Sequence, residues 1–158
     1  MTIHEKLIAL LDENHAIYRI CTHEAEGHSE QIAKIRGNDP HQAMKAIVIM
    51  AKISKKEKEY YLTILPGDKM IDLDALTKYL NVKKAIFAPL DTARELTQCE
   101  IGAIPPFTFN ENLHLLVDSQ LKENNEVVFN AGLLTKSIFM NFDDYVRIVN
   151  PTFVTIAK

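Results

Sequence analysis

Hydrophobic residues with helical spacing open the chain. Four of them fall on one side of a helix, with polar residues on the other side: Leu7, Ile8, Leu10 and Leu11. Thr2 and Glu5 precede this stripe with the spacing of a capping box. In that motif the threonine hydroxyl accepts from the Glu5 backbone N–H and the carboxylate reaches back. The pattern predicts an N-terminal helix.

Capping residues mark three further helices, and a proline marks the end of a fourth. Ser29 is predicted to cap the short helix "EQIAKIR", which Gly37 terminates. Asp72 and Asp91 are predicted to cap the helices of "LDALTKYL" and "TARELTQ". The last helix is predicted from Phe142 to Val149, because a proline follows shortly after and cannot continue it.

Runs of β-branched and aromatic residues predict the strands. The two longest, "MKAIVIMA" and "YYLTILP", flank the charged linker "SKKEKE" and are predicted to form a hairpin. In the next turn, "LPGD", Pro66 would fix φ and Gly67 would take the positive φ of a type II turn. Shorter strands are predicted at "AIYRICTH", "KAIFAP", "LHLLVD", "EVVFNAG" and "SIFMN".

Helices interspersed with hairpins are typical of α+β proteins. No repeat, low-complexity tract or Pro/Ser-rich linker divides the 158 residues, so residues 1–158 are predicted to form a single compact domain. The sheet is expected to be mixed and strongly curved, with helices flanking it.

One lysine interrupts the most apolar strand. Lys45 shares a face of that strand with Ile47 and Ile49, while the opposite face, which begins at Met44, is also apolar. Both faces are therefore expected to be covered. Two interpretations of Lys45 stay open. Its ammonium either extends past Ile47 to solvent, or lies in a binding pocket at the end of the strand.

Two other segments have both a structural and a ligand-binding interpretation. In "GAIPPF", Gly102 to Phe107, two prolines stiffen a loop whose backbone groups are not used by a sheet. It is either a rigid connector or the wall of a pocket, where Gly102 would let a ligand approach closely. In "FNAG", Phe129 to Gly132, small residues end a strand and let another backbone or a ligand approach.

Composition and charge argue against several classes of protein. The net charge is -3, and proteins dedicated to duplex binding are usually more basic, so DNA is not an expected partner. Apolar runs are strand-sized and no signal peptide is recognisable, so no membrane partner is expected and the cytoplasm is the expected compartment. Cys21, Cys99, His23 and His28 do not have metal-ligand spacing.

In combination, several segments resemble the YbaK/prolyl-tRNA synthetase associated domain family of trans-acting aminoacyl-tRNA editing deacylases. The segments that carry the resemblance are, in order, "QAMKAIVIM", "LPGDKMIDLDALTKYL", "GAIPPF", "LLVDSQL" and "VVFNAG". The similarity extends from the first helix through "FDDYVRIV". It implies a compact mixed sheet, partly closed like a barrel and flanked by helices.

The resemblance also implies an activity and its residues. The reaction would be hydrolysis of the ester that joins a wrong amino acid to the terminal ribose of a tRNA, with no metal or organic cofactor. Water, oriented by the substrate's ribose hydroxyl, would be the nucleophile. The family's essential lysine falls on Lys45, which would be catalytic. The G-x-x-x-P loop and the small-residue strand end imply these substrate-binding residues: Gly102, Ala103, Ile104, Pro105, Pro106, Asn130, Ala131 and Gly132.

The expected partner is the acceptor end of aminoacyl-tRNA, and an aminoacyl-tRNA synthetase is a further candidate. With a net charge of -3, contact is expected at the acceptor end only, with a shallow salt dependence. Lys45 is one cation that can bind the phosphates of the acceptor end. Others are expected among the following residues, if they lie near the pocket: Lys34, Arg36, Lys83, Lys84 and Lys136.

Two segments depart from the family pattern, and the second of them leaves the edited amino acid open. The loop carries proline at both Pro105 and Pro106, and "ICTHEAEGHSEQIAKIRGNDPH" matches no subfamily closely. A second hypothesis also remains: a non-catalytic module that uses the same pocket to hold an amino acid, a tRNA end or a protein partner. The presence of both Lys45 and the loop favours the enzyme.

Overall fold

Five α-helices and eight β-strands are present in the computed structural model, which describes residues 1–158. The helices are α1 (Ile3–Glu13), α2 (Ser29–Arg36), α3 (Leu73–Leu80), α4 (Leu90–Thr97) and α5 (Phe142–Val149). The strands are β1 (Tyr18–Thr22), β2 (Met44–Lys52), β3 (Lys58–Pro66), β4 (Lys84–Phe87), β5 (Leu113–Asp118), β6 (Glu126–Leu133), β7 (Lys136–Asn141) and β8 (Thr152–Val154). No helix has the length and apolar character that a membrane span would need.

The strands form two open sheets. Five strands lie in the order β4-β2-β3-β5-β8; β2 is antiparallel to β3 and β4, and β5 is parallel to β3 and β8. Three antiparallel strands form the second sheet, in the order β1-β7-β6. The predicted α+β class and mixed sheet are confirmed.

The prediction of one strongly curved, barrel-like sheet was wrong. The two sheets do not join, because β6 pairs with β7, the next strand along the chain, and β1 covers the other side of β7. A single bridge, between Ala43 and Val128, connects the start of β2 to β6. That bridge places the beginning of β2 beside the second sheet without closing a barrel.

Both faces of β2 are covered, as the sequence predicts. Met44, Val48 and Met50 pack into the main hydrophobic core, which also contains the buried residues of α1. Ile47 and Ile49 pack into a second core cluster on the other side of the sheet. The predicted hairpin is also confirmed, since β2 and β3 pair over their full length.

Two of the four predicted helix caps are confirmed. Thr2 and Glu5 form the capping box of α1, and the Asp72 carboxylate accepts from the Ala75 backbone N–H at the start of α3. The other two predictions were wrong by one or two residues. The N-cap of α2 is His28 and that of α4 is Pro89, so Ser29 and Asp91 lie inside their helices. Asp91 still carries negative charge near the positive end of the helix dipole.

The role predicted for Gly67 was wrong. Its φ is not positive, and the Lys69 N–H donates to the Pro66 carbonyl oxygen at 3.1 Å, so the turn begins one residue later than predicted. Glycine is needed for a different reason. A Cβ at this position would lie 2.6 Å from the Pro40 carbonyl oxygen, closer than a real Cβ approaches. Gly67 therefore lets the turn after β3 pack against the segment before β2.

Candidate active site

A cavity of about 50 Å³ lies where α2, the start of β2, the 102–107 loop and β6 meet. Four of the predicted site residues line it: Lys45, Gly102, Ile104 and Asn130. The other five are not among the lining residues: Ala103, Pro105, Pro106, Ala131 and Gly132. The fold therefore brings segments that are far apart in the sequence to one cavity, with two of the predicted cations, Lys45 and Arg36, among its lining residues.

Lys45 is half-buried near the beginning of β2. Its Nζ donates to the Lys69 carbonyl oxygen, in the turn that follows β3. Burial lowers the pKa of this ammonium, and the negative charge of Asp68 acts in the opposite direction. Asp68 in turn lies 3.0 Å from the Nδ1 of His41. The ammonium is thus held against a polar turn rather than extended into solvent.

Gly102 adopts a φ of 92° at the start of the loop. A Cβ there would lie 2.8 Å from the Gly27 Cα and 3.1 Å from the Gly27 carbonyl oxygen. The group that approaches Gly102 most closely is therefore another glycine backbone, from the segment before α2. Glycine at both positions lets this segment and the loop come together at the edge of the cavity.

Three of the six carbonyl groups of the loop accept hydrogen bonds within the protein. Asn130 Nδ2 donates to the Gly102 carbonyl oxygen at 2.6 Å. The Gly132 N–H donates to the Ala103 carbonyl oxygen at 2.9 Å, and the Tyr145 hydroxyl donates to the Pro106 carbonyl oxygen at 2.6 Å. These three hydrogen bonds hold the loop in place.

Three backbone donors of the same loop make no hydrogen bond within the protein: the N–H groups of Gly102, Ile104 and Phe107. Gly102 and Ile104 line the cavity, whereas Phe107 does not. Unused N–H donors in a fixed loop are the groups that stabilise an oxygen on which negative charge develops. The loop can therefore act as an oxyanion site.

Asn130 connects the walls of the cavity. It is buried, and its Nδ2 donates to the carbonyl oxygens of Glu26 and Gly102, at 3.0 and 2.6 Å. Its Oδ1 accepts from the Ser137 hydroxyl at 2.9 Å and from Arg36 Nη1 at 3.3 Å. One amide thus ties the segment before α2 and the 102–107 loop to the second sheet.

The small residues after Asn130 make room for α1. The Ala131 carbonyl oxygen lies 2.7 Å from the Nδ1 of His4, and a Cβ on Gly132 would lie 3.0 Å from the His4 backbone nitrogen. Gly132 has a φ of 81° within an irregularity of β6. Of the two interpretations of this strand end, a close backbone approach is the one observed.

Arg36, one of the candidate cations named from the sequence, lies at the cavity. It lines the cavity together with Ser29 and Ile32, at the i, i+3 and i+7 positions of α2. Its Nε donates to Asn38 Oδ1 at 2.9 Å, and no carboxylate pairs with it. Burial lowers its pKa to about 10. A guanidinium next to a cavity and without a counter-ion is suited to a polar or anionic ligand.

The cysteines and histidines considered in the sequence analysis do not line the cavity. Burial raises the pKa of the Cys99 thiol to about 11, so the thiolate is disfavoured at neutral pH. His23 lies between the Ser137 hydroxyl, at 2.7 Å, and the Glu24 carbonyl oxygen, at 2.8 Å, while His28 is exposed and contacts Glu26. No group of three or more His, Cys, Asp or Glu residues has a metal-binding arrangement.

The sequence matches a known protein family over most of its length. The sequence profile of the aminoacyl-tRNA editing domain matches residues 23–148, which include every residue that lines the cavity. The chain belongs to the aminoacyl-tRNA editing domain family. This membership confirms the resemblance seen in the sequence.

Curated relatives support the same assignment. This editing domain is 39% identical over 156 residues to the "Multifunctional Ser/Thr-tRNA deacylase ProXp-y" of Escherichia coli (strain K12), with 98% of this chain and 93% of the relative covered. The protein of the same name from Escherichia coli O157:H7 matches equally well. The predicted function is confirmed: the protein is a hydrolase that acts on the ester bond of mischarged aminoacyl-tRNA.

Two crystal structures share the fold. A protein described as a candidate trans-editing enzyme for prolyl-tRNA synthetase has a TM-score of 0.82 and 19% identity, with 100% of this chain and 98% of that chain covered. A hypothetical protein has a TM-score of 0.86 and 16% identity, with 97% and 99% covered. At these identities the similarity shows the fold alone.

Proposed function

We propose that this editing domain removes serine or threonine from mischarged tRNA, and that the cavity beside Lys45 is its active site. The curated relatives, which are named as Ser/Thr-tRNA deacylases, support the choice of amino acid. The observation that carries the site is the combination of Lys45 with the unused N–H groups of Gly102 and Ile104 around one cavity. Residues 1–158 form one deacylase domain in this proposal.

The size of the cavity supports a small side chain. Its volume of about 50 Å³ exceeds the roughly 10–15 Å³ that one water molecule needs, which is in keeping with a small side chain rather than a large one. The walls from Ile32, Ile104 and Phe129 are apolar and suit the methyl group of threonine.

Two polar groups of the cavity are free to form hydrogen bonds with the hydroxyl group of a serine or threonine substrate. The Ser29 hydroxyl and the Nη2 of Arg36 make no hydrogen bond within the protein, and both residues line the cavity. A site that bonds a substrate hydroxyl discriminates strongly against an analogue that lacks it, because the polar groups of the site are then left without a partner.

In the proposed reaction, a water molecule attacks the carbonyl carbon of the ester. The electron pair of the carbonyl moves onto its oxygen, which the N–H groups of Gly102 and Ile104 stabilise. The electron pair then re-forms the carbonyl, the bond to the ribose oxygen breaks, the ribose oxygen takes up the proton that the attacking water loses, and the free amino acid leaves. Lys45 supplies positive charge to the phosphate or ester oxygens of the acceptor end.

The predicted residues that do not line the cavity are assigned a positioning role. Ala103 and Pro106 accept the hydrogen bonds that fix the loop, and Pro105 stiffens it. Ala131 and Gly132 bring α1 against the end of β6.

We also propose a substrate, a protein partner and a compartment. The substrate is the acceptor end of aminoacyl-tRNA, and an aminoacyl-tRNA synthetase is a partner that would deliver it. The proposal places the protein in the cytoplasm, because aminoacyl-tRNA is made and used there. Co-elution of the protein with candidate synthetases in size-exclusion chromatography tests the partner.

A panel of mischarged tRNAs tests the function. Each tRNA is charged with serine, threonine, alanine or valine, and release of the amino acid is followed over time. We expect fast release of serine and threonine and slow release of the other two. Valine is the matched control for threonine, since a methyl group replaces the hydroxyl at nearly equal volume.

The panel also separates the competing hypotheses. Equal rates for threonine and valine would contradict recognition of the hydroxyl by Ser29 and Arg36. Release of no amino acid from any substrate at high protein concentration would instead favour the non-catalytic binding module.

A further inference from the structure

Five lysines gather at the end of β2 that is far from the cavity. Lys52 is the last residue of β2, and it pairs with Lys58 on β3 and with Lys84 on β4. Lys55 and Lys83 lie beside these three, and we call the five residues the lysine cluster. Together with Ser54 they line a cleft of about 490 Å³ that has no hydrophobic wall.

No negative charge of the protein is placed against the lysine cluster. None of the ion pairs in the structure involves a lysine, and no side-chain nitrogen of the cluster makes a hydrogen bond. The acidic residues of the same hairpin are Glu57 and Glu59, and the Glu59 carboxylate accepts from the Tyr61 hydroxyl at 3.0 Å. The cluster is thus a local positive surface on a chain whose net charge is -3.

This arrangement works against the stability of the sheet. Like charges directly opposite each other on neighbouring strands repel, and Lys52 faces a lysine on both sides. An anionic ligand in the cleft would remove that repulsion. A cleft lined only by lysines and a serine favours a ligand with repeated negative charge over one with apolar surface.

We propose that the lysine cluster binds the phosphodiester backbone of the tRNA whose acceptor end lies in the cavity. This inference rests on the proposed function for the position of the acceptor end. Lys52 lies seven positions after Lys45 along β2, which corresponds to about 23 Å, and its side chain leaves the opposite face of the strand. A duplex stem that continues from the acceptor end extends over a distance of this order, so its backbone can reach the cluster.

The cluster changes the salt dependence expected from the sequence. Lys83 and Lys84 belong to it and do not line the cavity, so they add contacts away from the acceptor end. Each phosphate neutralised on a duplex contributes about 0.9 to the slope of log affinity against log salt concentration. With three to five such contacts, we expect a slope magnitude of about 3 to 4.5 rather than a shallow one.

Binding of uncharged tRNA across a salt series tests the proposal. The test protein carries Lys55→Gln, Lys58→Gln and Lys84→Gln. The matched control carries Lys6→Gln, Lys122→Gln and Lys158→Gln, which remove the same charge from exposed positions elsewhere. We expect the test protein to bind at least about tenfold more weakly at low salt, with a slope smaller by about 2 to 3, while the control keeps the wild-type slope.

A kinetic comparison adds a readout that a loss of folding would not give. On threonyl-tRNA, the test protein should have a raised KM and an unchanged kcat. On threonyl-adenosine, which is too short to reach the cluster, it should match the wild type. Because the opposed lysines repel each other, its melting temperature should be equal to or above that of the wild type.

The outcomes for the two proposals are separable. Equal affinity and equal slope for the test and wild-type proteins would overturn the role of the lysine cluster, whatever the hydrolysis assay shows. A steeper slope for the wild type without release of any amino acid would support the cluster and contradict the proposed function.

Discussion

Lys45 illustrates at the scale of one residue how a functional group can oppose stability. Its ammonium is half-buried, and burial lowers its pKa because the charged form loses solvation. The carbonyl oxygen of Lys69 and the nearby charge of Asp68 compensate in part. A cation kept at such a position is consistent with a role in the reaction rather than in the stability of the sheet.

Lys45→Ala should abolish deacylation and leave the fold intact. Loss of a charge-assisted contact to phosphate or ester oxygen corresponds to about 1.5–3 kcal/mol or more in transition-state binding, so kcat/KM should fall by at least roughly 10- to 150-fold. Lys45→Met keeps an apolar stem and should retain or raise the melting temperature with the same loss of activity. Lys45→Arg should not restore full activity, because a planar fork replaces a compact charge.

Rates on threonyl-tRNA and thermal melts of the three variants provide the measurements. Turnover near the wild-type rate in a well-folded Lys45→Ala protein would contradict the catalytic role.

Gly102→Ala should destabilise the protein as well as inactivate it. The sequence alone suggests damage mainly to activity, but the structure places the Gly27 backbone where the new Cβ would lie. A positive φ costs an alanine roughly 1–2 kcal/mol, and the collision adds to that cost, so we expect about 2–4 kcal/mol in the free energy of unfolding.

Gly37→Ala is the matched control for Gly102→Ala. Its φ is 75°, but no atom lies within 4 Å of the added Cβ. We expect a loss of only about 1–2 kcal/mol from the backbone conformation. Urea unfolding of both variants measures the difference. If the two losses are equal, the contact with Gly27 contributes nothing.

At the scale of the element, α2 places one face on the cavity. Ser29, Ile32 and Arg36 lie on that face, and the N-cap position is taken by His28. The Ser29 hydroxyl therefore makes no capping hydrogen bond and remains available to a substrate. Because α2 begins one residue earlier than the sequence predicts, Ser29 is a candidate binding residue rather than the helix cap.

Ser29→Ala should leave stability within about 0.5 kcal/mol of the wild type, because no cap is lost. It should lower kcat/KM on seryl- and threonyl-tRNA roughly 2- to 12-fold, the effect of one neutral hydrogen bond of about 0.5–1.5 kcal/mol. Asp72→Ala is the control at a true cap. It should cost about 1 kcal/mol in stability and leave activity unchanged. A similar destabilisation in both variants would show that Ser29 does cap the helix.

At the scale of the whole molecule, buried acidic groups set the response to alkaline pH. Burial raises the pKa of the Cys99 thiol from 9.0 to about 11, and it raises the pKa of Tyr61 to about 12. In each case the folded protein holds a proton that the unfolded chain has lost. The stability due to Cys99 is therefore fully present below about pH 9 and is lost as pH rises towards 11.

The free energy of unfolding should accordingly fall between pH 9 and 11, with Cys99 contributing up to about 2–3 kcal/mol of the loss. Cys99→Ala should be somewhat less stable at pH 8, because it leaves a small cavity, but should lose less on going to pH 11. Urea unfolding of both proteins at four pH values provides the measurement. Parallel curves for the wild type and the variant would exclude Cys99 as a source of the pH dependence.

The sequence by itself determined the features that depend on neighbouring residues. The capping box of Thr2 and Glu5, the cap at Asp72 and the end of α2 at Gly37 follow from hydrogen bonds and backbone angles within a few residues. The two apolar faces of β2 follow from strand alternation, and the family follows from the order of short motifs. These signals are local, so the chain carries them without reference to the fold.

Only the tertiary structure decided what depends on residues far apart in the chain. Gly102 faces Gly27, Asn130 joins three segments, and Lys52 lies between Lys58 and Lys84 because separate strands and loops meet there. The division into two sheets also depends on which distant strand each strand pairs with. Contacts of this kind are set by packing of the whole chain, and no local pattern in the sequence records which residues they bring together.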